Sequence, residues 1–184
     1  MSAPGLLVVA ATELELCEND GFVCGVGPVE AAVATAFELA RARPSAVLHV
    51  GVAGGRRLTP GALVVGTEAI YVDMSAGIPV VDRVAADLEL VRAAQSALPE
   101  AIALPIATSA AVSAPGHTHS HDLRVEAMEG FAVLRACAAA GVPGVEVRAV
   151  SNELGEQDRA LWMVRRGLDA LSGAIPRLLA GLAE

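Results

Sequence analysis

Short apolar runs that alternate with helix-like segments most constrain the fold of this chain. Leu6–Ala11 and Ala46–Val50 are runs of this kind, rich in valine and leucine. Because strands buried on both faces read as continuous apolar runs, both are predicted to lie inside a parallel sheet. Between them, Val29–Arg43 is rich in alanine and follows Pro28, a residue typical of the first turn of a helix. The chain therefore begins with a strand, a helix and a second buried strand.

The same alternation continues to the end of the chain. Further strands are predicted at Phe22–Gly25, Ala62–Val72, Ile102–Val112 and Val145–Ser151. Further helices are predicted at Ala85–Leu98, Glu129–Ala140, Asp158–Leu171 and Ala174–Leu182, with a break near Gly173 and Pro176. The remaining segments are predicted as a tight turn at Gly51–Gly55 and an irregular loop at Asp73–Arg83. Strands that alternate with helices predict an α/β fold of three layers, with one domain over residues 1–184.

Composition excludes several classes of protein. Of the 184 residues, 54% are hydrophobic and 18% are charged, so a disordered chain is not expected. The formal net charge is −8 and every basic residue is an arginine, which makes nucleic acid and anionic membrane surfaces poor partners. No apolar run reaches the ~18–20 residues of a membrane span, and no basic region precedes the first run as in a signal peptide.

The cysteines indicate a reducing environment. Cys17, Cys24 and Cys137 are an odd number and form no CxxC pair, so neither a disulfide framework nor a zinc site is predicted. No partner histidine is visible for any of them, and we interpret all three as thiols of the core. We therefore expect a cytoplasmic protein.

Polar segments follow several of the predicted strands. In α/β folds, ligands bind beyond the carboxyl ends of the strands. Four segments are placed around one predicted pocket by this rule: Thr12–Glu15, Gly51–Gly55, Ser109–Val112 and Ser151–Asn152.

Each segment has a functional and a structural interpretation. A carboxylate in Glu13–Glu15 could act as a general base on a water, or belong to a solvated acidic turn. The glycines of Gly51–Gly55 allow the backbone to approach a ligand, or simply make a turn, and they match neither GxGxxG nor a P-loop. Arg56 and Arg57 could hold an anion or be solvated.

Two later segments also carry polar groups that have both a functional and a structural interpretation. Glu129, at a predicted helix start, could accept hydrogen bonds from sugar hydroxyls or stabilise the helix dipole. Arg148 lies within a buried strand and needs a partner, because an unpaired buried charge is costly. Asn152 ends that strand with both a donor and an acceptor, and a plain turn at Ser151–Asn152 is the alternative.

The alternating histidines His117, His119 and His121 could ligate a metal. One extended segment rarely supplies three ligands to one ion, and no distant Cys/His cluster accompanies them. A loop is therefore the preferred interpretation, and no metal or cofactor is expected.

The order of these segments resembles the nucleoside phosphorylase and nucleosidase superfamily. The resemblance depends on six segments, Val9–Glu15, Gly25–Ala32, Val50–Gly55, Pro60–Val65, Glu126–Gly130 and Arg148–Asn152. More narrowly, the chain resembles the methylthioadenosine/S-adenosylhomocysteine nucleosidases and the futalosine hydrolases. The Met-Glu-Gly sequence, the Ser-Asn ending and Gln157–Trp162 look specifically like the futalosine hydrolases. The resemblance implies a nucleoside phosphorylase-like fold with a central mixed sheet.

The resemblance also implies roles for individual residues. Glu15 matches the carboxylate that activates the attacking water, and Arg148 matches the arginine of the same network. Met128 and Glu129 match the pair that holds the ribose. The remaining substrate-binding positions that we predict are Ala53, Gly54, Val112, Ser151 and Arg56, the last for an anionic group on the 5′ side of the sugar.

Asn152 stands where adenine-specific nucleosidases carry Asp. A 6-oxopurine presents acceptors at both O6 and N7, towards which an amide NH₂ can donate and which an ionised Asp would repel. A buried mismatch of this kind discriminates strongly, so Asn152 favours hypoxanthine over adenine. Two departures from the family pattern are Val52, where Ser or Thr is usual, and a shortened segment after Glu15, which is expected to delete a hairpin.

The resemblance makes hydrolysis of futalosine to hypoxanthine, a step towards menaquinone, the leading hypothesis. A purine nucleoside phosphorylase and an adenine-type nucleosidase are alternatives, and a non-catalytic nucleoside-binding relative is an alternative of another class. The resemblance further implies a homo-oligomer, with Tyr71–Gly77 as the contact between subunits.

Overall fold

A computed structural model describes residues 5–74, 77–111 and 123–182. Its strands are β1 Leu6–Ala10, β2 Phe22–Val23, β3 Ala46–Gly55, β4 Leu63–Tyr71, β5 Arg83–Ala85, β6 Ile102–Thr108, β7 Val125–Ala127 and β8 Gly144–Glu153. Its α-helices are α1 Glu13–Leu16, α2 Pro28–Ala42, α3 Leu88–Ala97, α4 Gly130–Ala140 and α5 Val164–Leu182, with a 3₁₀ turn at Arg159–Leu161.

The strands form one mixed sheet. Strands β2, β1, β3 and β8 lie side by side and run parallel. Strand β8 pairs antiparallel with β4, β4 pairs parallel with β6, and β6 pairs parallel with β7. Strand β7 then pairs antiparallel with the end of β3, so that β3, β8, β4, β6 and β7 close into a ring. The expected central mixed sheet is confirmed, and its curling into a ring is a feature that the sequence analysis did not predict.

Side chains alternate between the two faces of the sheet and bury a helical layer on each. Val9 and Val47 point towards α2 and α4, where they pack in one cluster with Leu39 and Cys137. Val8 and Leu48, their neighbours in the same strands, point the opposite way. They pack in one cluster with Val91 of α3 and Leu171 of α5. This alternation follows from the two-residue period of a strand. The predicted three-layer arrangement is therefore confirmed.

The predicted turn at Gly51–Gly55 is wrong, because β3 continues through all five residues. Gly51 and Val52 pair with β8, and Gly54 and Gly55 pair with both β8 and β7. The ring supplies hydrogen-bond partners to the backbone on both sides, which outweighs the low strand propensity of glycine. The local pattern contains no trace of these distant partners.

Three smaller differences from the prediction concern strands β5 and β7 and helix α5. The predicted loop at Asp73–Arg83 ends in strand β5, which pairs with β4. Strand β7 lies just before the predicted helix at Glu129 and is too short to be recognised from its pattern. Helix α5 runs without a break through Pro176, because its apolar face, including Leu171, Ile175 and Leu178, is buried against the sheet.

Two of the three cysteines belong to the core as predicted. Cys24 and Cys137 are buried, and burial raises the pKa of each thiol to about 12. Cys17 is half-buried, and its thiol lies 3.5 Å from the carbonyl oxygen of Leu168. Across residues 5–74, 77–111 and 123–182, no helix combines the length and the hydropathy that crossing a membrane requires.

Candidate active site

A cavity of about 250 Å³ opens where β1, β3, β7 and β8 reach their carboxyl ends. It brings together segments that are more than a hundred residues apart in the chain. Seven of the residues predicted to act on a nucleoside line it: Glu15, Ala53, Gly54, Met128, Glu129, Ser151 and Asn152. Much of the remaining wall is apolar and comes from Leu14, Val26, Val52, Leu154, Trp162, Val164 and Leu168. A largely apolar cavity with a few convergent polar groups is typical of a small-molecule site.

Glu15 is held rigidly at one wall of the cavity. It lies in the short helix α1 directly after β1 and is buried, with 8% of its surface exposed. Its Oε1 accepts a hydrogen bond from the backbone N–H of Val52 at 3.0 Å, and its Oε2 accepts one from the hydroxyl of Thr12 at 3.0 Å. Each carboxylate oxygen keeps a lone pair for another donor. The carboxylate is thus oriented and able to bind a water, and it is not part of a solvated turn.

Glu129 also lines the cavity and lies immediately before α4. Its Oε1 accepts from the backbone N–H of Gly27 at 3.0 Å, and its Oε2 lies 3.5 Å from Nη2 of Arg148. The side chain makes no hydrogen bond to the start of its own helix, and its carboxylate is held instead by Gly27 and Arg148. Burial raises the pKa of Glu129, and the charge of Arg148 opposes that shift.

Arg148 is fully buried at the centre of a charged cluster behind the cavity. Its Nε donates to Oε1 of Glu146 at 2.7 Å, and its Nη2 lies 2.5 Å from Nε2 of His49. Because a guanidinium has no acceptor, His49 must accept with Nε2 and is therefore neutral. Burial, together with the positive charge of Arg148, holds the pKa of His49 well below its usual value. The strand arginine thus has the partners that the cost of a buried charge requires.

His49 and Glu146 are functional candidates that the sequence analysis missed. Each stands in a strand whose other residues are mostly apolar, and a polar residue at such a position is itself a signal. The contact between His49 and Arg148 joins strands β3 and β8, although the two residues are 99 positions apart in the sequence. Only the register of the sheet shows that they meet.

Gly51 allows two charged groups to approach the backbone of β3. A Cβ at this position would overlap Nη1 of Arg148 and would lie 2.7 Å from Oε1 of Glu15. The two atoms therefore border the same small space. Among the described residues, Nη1 of Arg148 has no hydrogen-bond partner. A donor without a partner and a carboxylate oxygen thus face each other at the position of Gly51.

Asn152 lies inside β8 and is not part of a turn. Its Oδ1 accepts a hydrogen bond from the hydroxyl of Ser151 at 2.7 Å, and its Nδ2 donates to the backbone carbonyl of Glu153 at 3.1 Å. These two contacts determine which end of the amide is the donor. Nδ2 carries a second N–H, which is available to a ligand in the cavity.

The remaining predicted site residues have different positions. Arg56 follows β3 and is not among the described residues that line the cavity. Its charge nevertheless acts on Glu126, which does line the cavity. Burial raises the pKa of Glu126 to about 7, with the charge of Asp73 adding to the shift and Arg56 opposing it. Val112 and the histidines His117, His119 and His121 lie outside the described residues. Within the described part of the chain, no group of three or more His, Cys, Asp or Glu side chains is arranged to hold a metal ion.

Comparison with known proteins places this chain in a family. The model of the phosphorylase superfamily matches residues 22–180. The futalosine hydrolase of Streptomyces coelicolor is 36% identical over 183 residues, which cover 86% of this chain and 77% of that protein. The chain belongs to the phosphorylase superfamily, in the family of the futalosine hydrolases. The predicted family and the predicted N-glycosyl hydrolase class are thereby confirmed.

Two further comparisons agree with this membership. The methylthioadenosine/S-adenosylhomocysteine nucleosidase of Geobacillus thermodenitrificans is 32% identical, covering 82% of this chain and 75% of that protein. The native structure of the futalosine hydrolase of Helicobacter pylori superposes with a TM-score of 0.86 at 15% identity, covering 97% of this chain and 98% of that one. The structural likeness shows the shared fold, and the nucleosidase relative represents the neighbouring branch of the superfamily.

Proposed function

We propose that this futalosine hydrolase family member cleaves the N-glycosidic bond of futalosine with water and releases hypoxanthine. The observation that supports the proposal most directly is the pair formed by Glu15 and Arg148 over Gly51. An oriented carboxylate and a donor without a partner among the described residues border one space there, beside the cavity. The similarity to the Streptomyces coelicolor futalosine hydrolase supports the choice of substrate.

The proposed reaction needs one water and no cofactor. Glu15 accepts a proton from the water while Nη1 of Arg148 donates a hydrogen bond to its oxygen. The water oxygen bonds to C1′ of the ribose as the C1′–N bond breaks, and the bonding electrons leave with the base. The base takes up a proton from solvent to become hypoxanthine, and Glu15 returns its proton to solvent. Such a bond breaks through an oxocarbenium-like state, which nearby carboxylates stabilise. Glu129 accepts from the ribose hydroxyls, and Met128 packs against the sugar.

Asn152 provides the proposed selectivity for the base. The N–H of Nδ2 that is not bonded to the carbonyl of Glu153 donates to hypoxanthine in a hydrogen bond shared between O6 and N7. This bond strengthens as negative charge develops on the leaving base. Ser151 holds the amide in the orientation that presents the donor, at 2.7 Å from Oδ1. The apolar wall of the cavity, including Trp162, encloses the nucleoside.

The charge around Arg148 favours hydrolysis over phosphorolysis. Glu146, Glu129 and Glu15 all act on Arg148, so three carboxylates surround one cation. A phosphate anion brought to this cluster would be repelled, whereas a water would not. Among the described residues that line the cavity, none is an arginine that could offset the repulsion.

The decisive experiment supplies the purified protein with futalosine, inosine or methylthioadenosine, with and without phosphate, and follows the free base. We expect hypoxanthine from futalosine at a rate independent of phosphate. No hypoxanthine from futalosine would overturn the proposal, and release that requires phosphate would identify a phosphorylase. Adenine from methylthioadenosine as the main product would identify the neighbouring nucleosidase class.

The role of Asn152 is tested by Asn152→Asp. We expect this variant to shift the ratio of kcat/KM values from the 6-oxopurine towards the 6-amino purine. Asn152→Ala, which removes the amide without adding a charge, is the matched control and should lower both rates. Unchanged selectivity in Asn152→Asp would contradict this account of base recognition.

We also propose that the protein is a homo-oligomer that acts in the cytoplasm. Helix α2 exposes three apolar side chains spaced four residues apart, Val29, Val33 and Phe37, with 73%, 52% and 75% of their surfaces exposed. Such a stripe is typical of a contact with a second subunit. In the predicted contact segment Tyr71–Gly77, residues 75 and 76 lie outside the described residues. Sedimentation velocity of the wild type and of Phe37→Asp would test the contact. We expect an oligomer for the wild type and a smaller species for Phe37→Asp, and a wild type that sediments as a monomer would exclude the contact.

A further inference from the structure

A second layer of buried polar groups lies behind the cavity. Glu146 and His49 are fully buried, and neither is among the residues that line the cavity. Both contact the guanidinium of Arg148, Glu146 through Nε at 2.7 Å and His49 through Nη2 at 2.5 Å. They therefore act on a residue of the proposed site without reaching the nucleoside.

The two contacts determine the orientation of the guanidinium. A guanidinium is planar and rigid, so holding Nε and Nη2 also determines where Nη1 points. Nη1 borders the space at Gly51 that also holds Oε1 of Glu15. Of the three guanidinium nitrogens, Nη1 is the one that has no hydrogen-bond partner among the described residues. The cluster thus leaves free the donor that the proposed mechanism uses.

Stability alone does not explain the buried pair that Glu146 forms with Arg148. Its Oε2 is buried and has no hydrogen-bond partner among the described residues, which costs free energy. Space for the carboxylate is provided by Gly130, where a Cβ would overlap both of its oxygens. Replacing a buried ion pair by apolar residues is often neutral or stabilising. A buried carboxylate with one oxygen unpaired among the described residues, beside a glycine that makes room for it, indicates a role in function.

We propose that Glu146 and His49 are positioning residues that hold the guanidinium of Arg148 so that its Nη1 faces Glu15 and the attacking water. The inference rests on the proposed function, in which Arg148 and Glu15 bind that water. Glu146 acts as a carboxylate that accepts from Nε, and His49 acts as a neutral imidazole that accepts from Nη2. Neither residue touches the substrate.

The experiment compares Glu146→Leu, Glu146→Gln and His49→Phe with the wild type. A displacement of about 1 Å in a reacting group costs about 100-fold in rate, so Glu146→Leu should lower kcat about 10–100-fold. KM should change by less than about threefold, because the residue does not touch the nucleoside. Glu146→Gln keeps an oxygen for Nε and should recover part of the loss. His49→Phe, which keeps a ring but no acceptor, should behave like Glu146→Leu.

A pH profile separates positioning from a general loss of stability. Burial raises the pKa of Glu129, and the charges of Glu15 and Glu146 add to the shift, while Arg148 and the N–H of Gly27 oppose it. Removing the charge of Glu146 should lower the pKa of Glu129. Because Glu129 accepts from the ribose hydroxyls as a carboxylate, the acidic limb of kcat should move to lower pH in Glu146→Gln, which a loss of stability alone would not produce.

The matched control is Val147→Ala, since Val147 is equally buried in β8 but faces α3 and α5. It should lower the unfolding midpoint without changing kcat or the pH profile. If the wild type is active, and folded Glu146→Leu and His49→Phe have the same kcat as the wild type, this inference is overturned while the proposed function stands. Wild type that releases no base from any of the three nucleosides would overturn the proposed function and this inference together.

Discussion

Replacing Gly51 by alanine tests the geometry of the proposed site with a single methyl group. The added Cβ would overlap Nη1 of Arg148 and lie 2.7 Å from Oε1 of Glu15. Gly51 pairs with β8 in the interior of β3 and does not have the positive φ that only glycine tolerates, so the effect is purely one of space. Alanine at this position therefore displaces the two groups that we propose to hold the water.

The size of the effect follows from the overlap. Carbon atoms in ordinary contact are about 3.5–4.0 Å apart, so the guanidinium must retreat by more than about 1 Å. A misplacement of about 1 Å costs about 100-fold in rate, which is about 2.7 kcal/mol of transition-state stabilisation. Overpacking should also lower the free energy of unfolding by about 1–3 kcal/mol. We expect kcat to fall about 100-fold in a protein that still folds.

The assay is release of hypoxanthine from futalosine at saturating substrate, with urea unfolding measured in parallel. Gly173→Ala is the control, because Gly173 lies in α5 and a Cβ there would meet no atom within 4 Å. The control should keep full activity and gain about 0.5–1 kcal/mol of stability. If Gly51→Ala folds and keeps a kcat within about twofold of the wild type, the proposed placement of the water between Glu15 and Arg148 is wrong.

Three further predictions address other groups of the site. Glu15→Gln keeps the size of the side chain but removes the base, and kcat should fall about 100- to 10,000-fold in a single-turnover assay. Gly130→Ala should destabilise the protein because its Cβ overlaps the carboxylate of Glu146, and adding Glu146→Ala should restore part of the unfolding midpoint. Burial raises the pKa of Glu126 from 4.5 to about 7, so ionising it weakens the folded state as the pH rises through that interval. Glu126→Gln should therefore gain stability relative to the wild type between about pH 5 and about pH 8, measured by urea unfolding.

Each of these predictions has an outcome that contradicts it. Glu15→Gln with at least about a tenth of the wild-type rate would exclude Glu15 as the general base. Strictly additive losses in Gly130→Ala and Glu146→Ala would show that the two positions do not share one space. A difference in stability between Glu126→Gln and the wild type that does not change with pH would show that Glu126 does not titrate in this range.

Much of the fold could be predicted from local sequence patterns. The apolar runs at Leu6 and Ala46 correspond to β1 and β3, and the alanine-rich segment after Pro28 corresponds to α2, whose two boundaries each differ from the prediction by one residue. These elements could be predicted because the periodicity of buried side chains and the preferences of proline act within a few residues. The same patterns misjudged Gly51–Gly55, where partners from β7 and β8 override local propensity.

The sequence by itself determined the fold class, the family and three of the four segments predicted around the cavity, since polar residues at the carboxyl ends of strands meet at one edge of a sheet. Of the fourth segment, Ser109–Val112, the described residues do not line the cavity. The tertiary structure decided which atoms meet. The closed ring, the pairing of Arg148 with His49 and Glu146, and the amide orientation of Asn152 all depend on it. Hydrogen bonds and charge pairs between distant strands are properties of register and distance, and a residue's neighbours in the chain do not specify them.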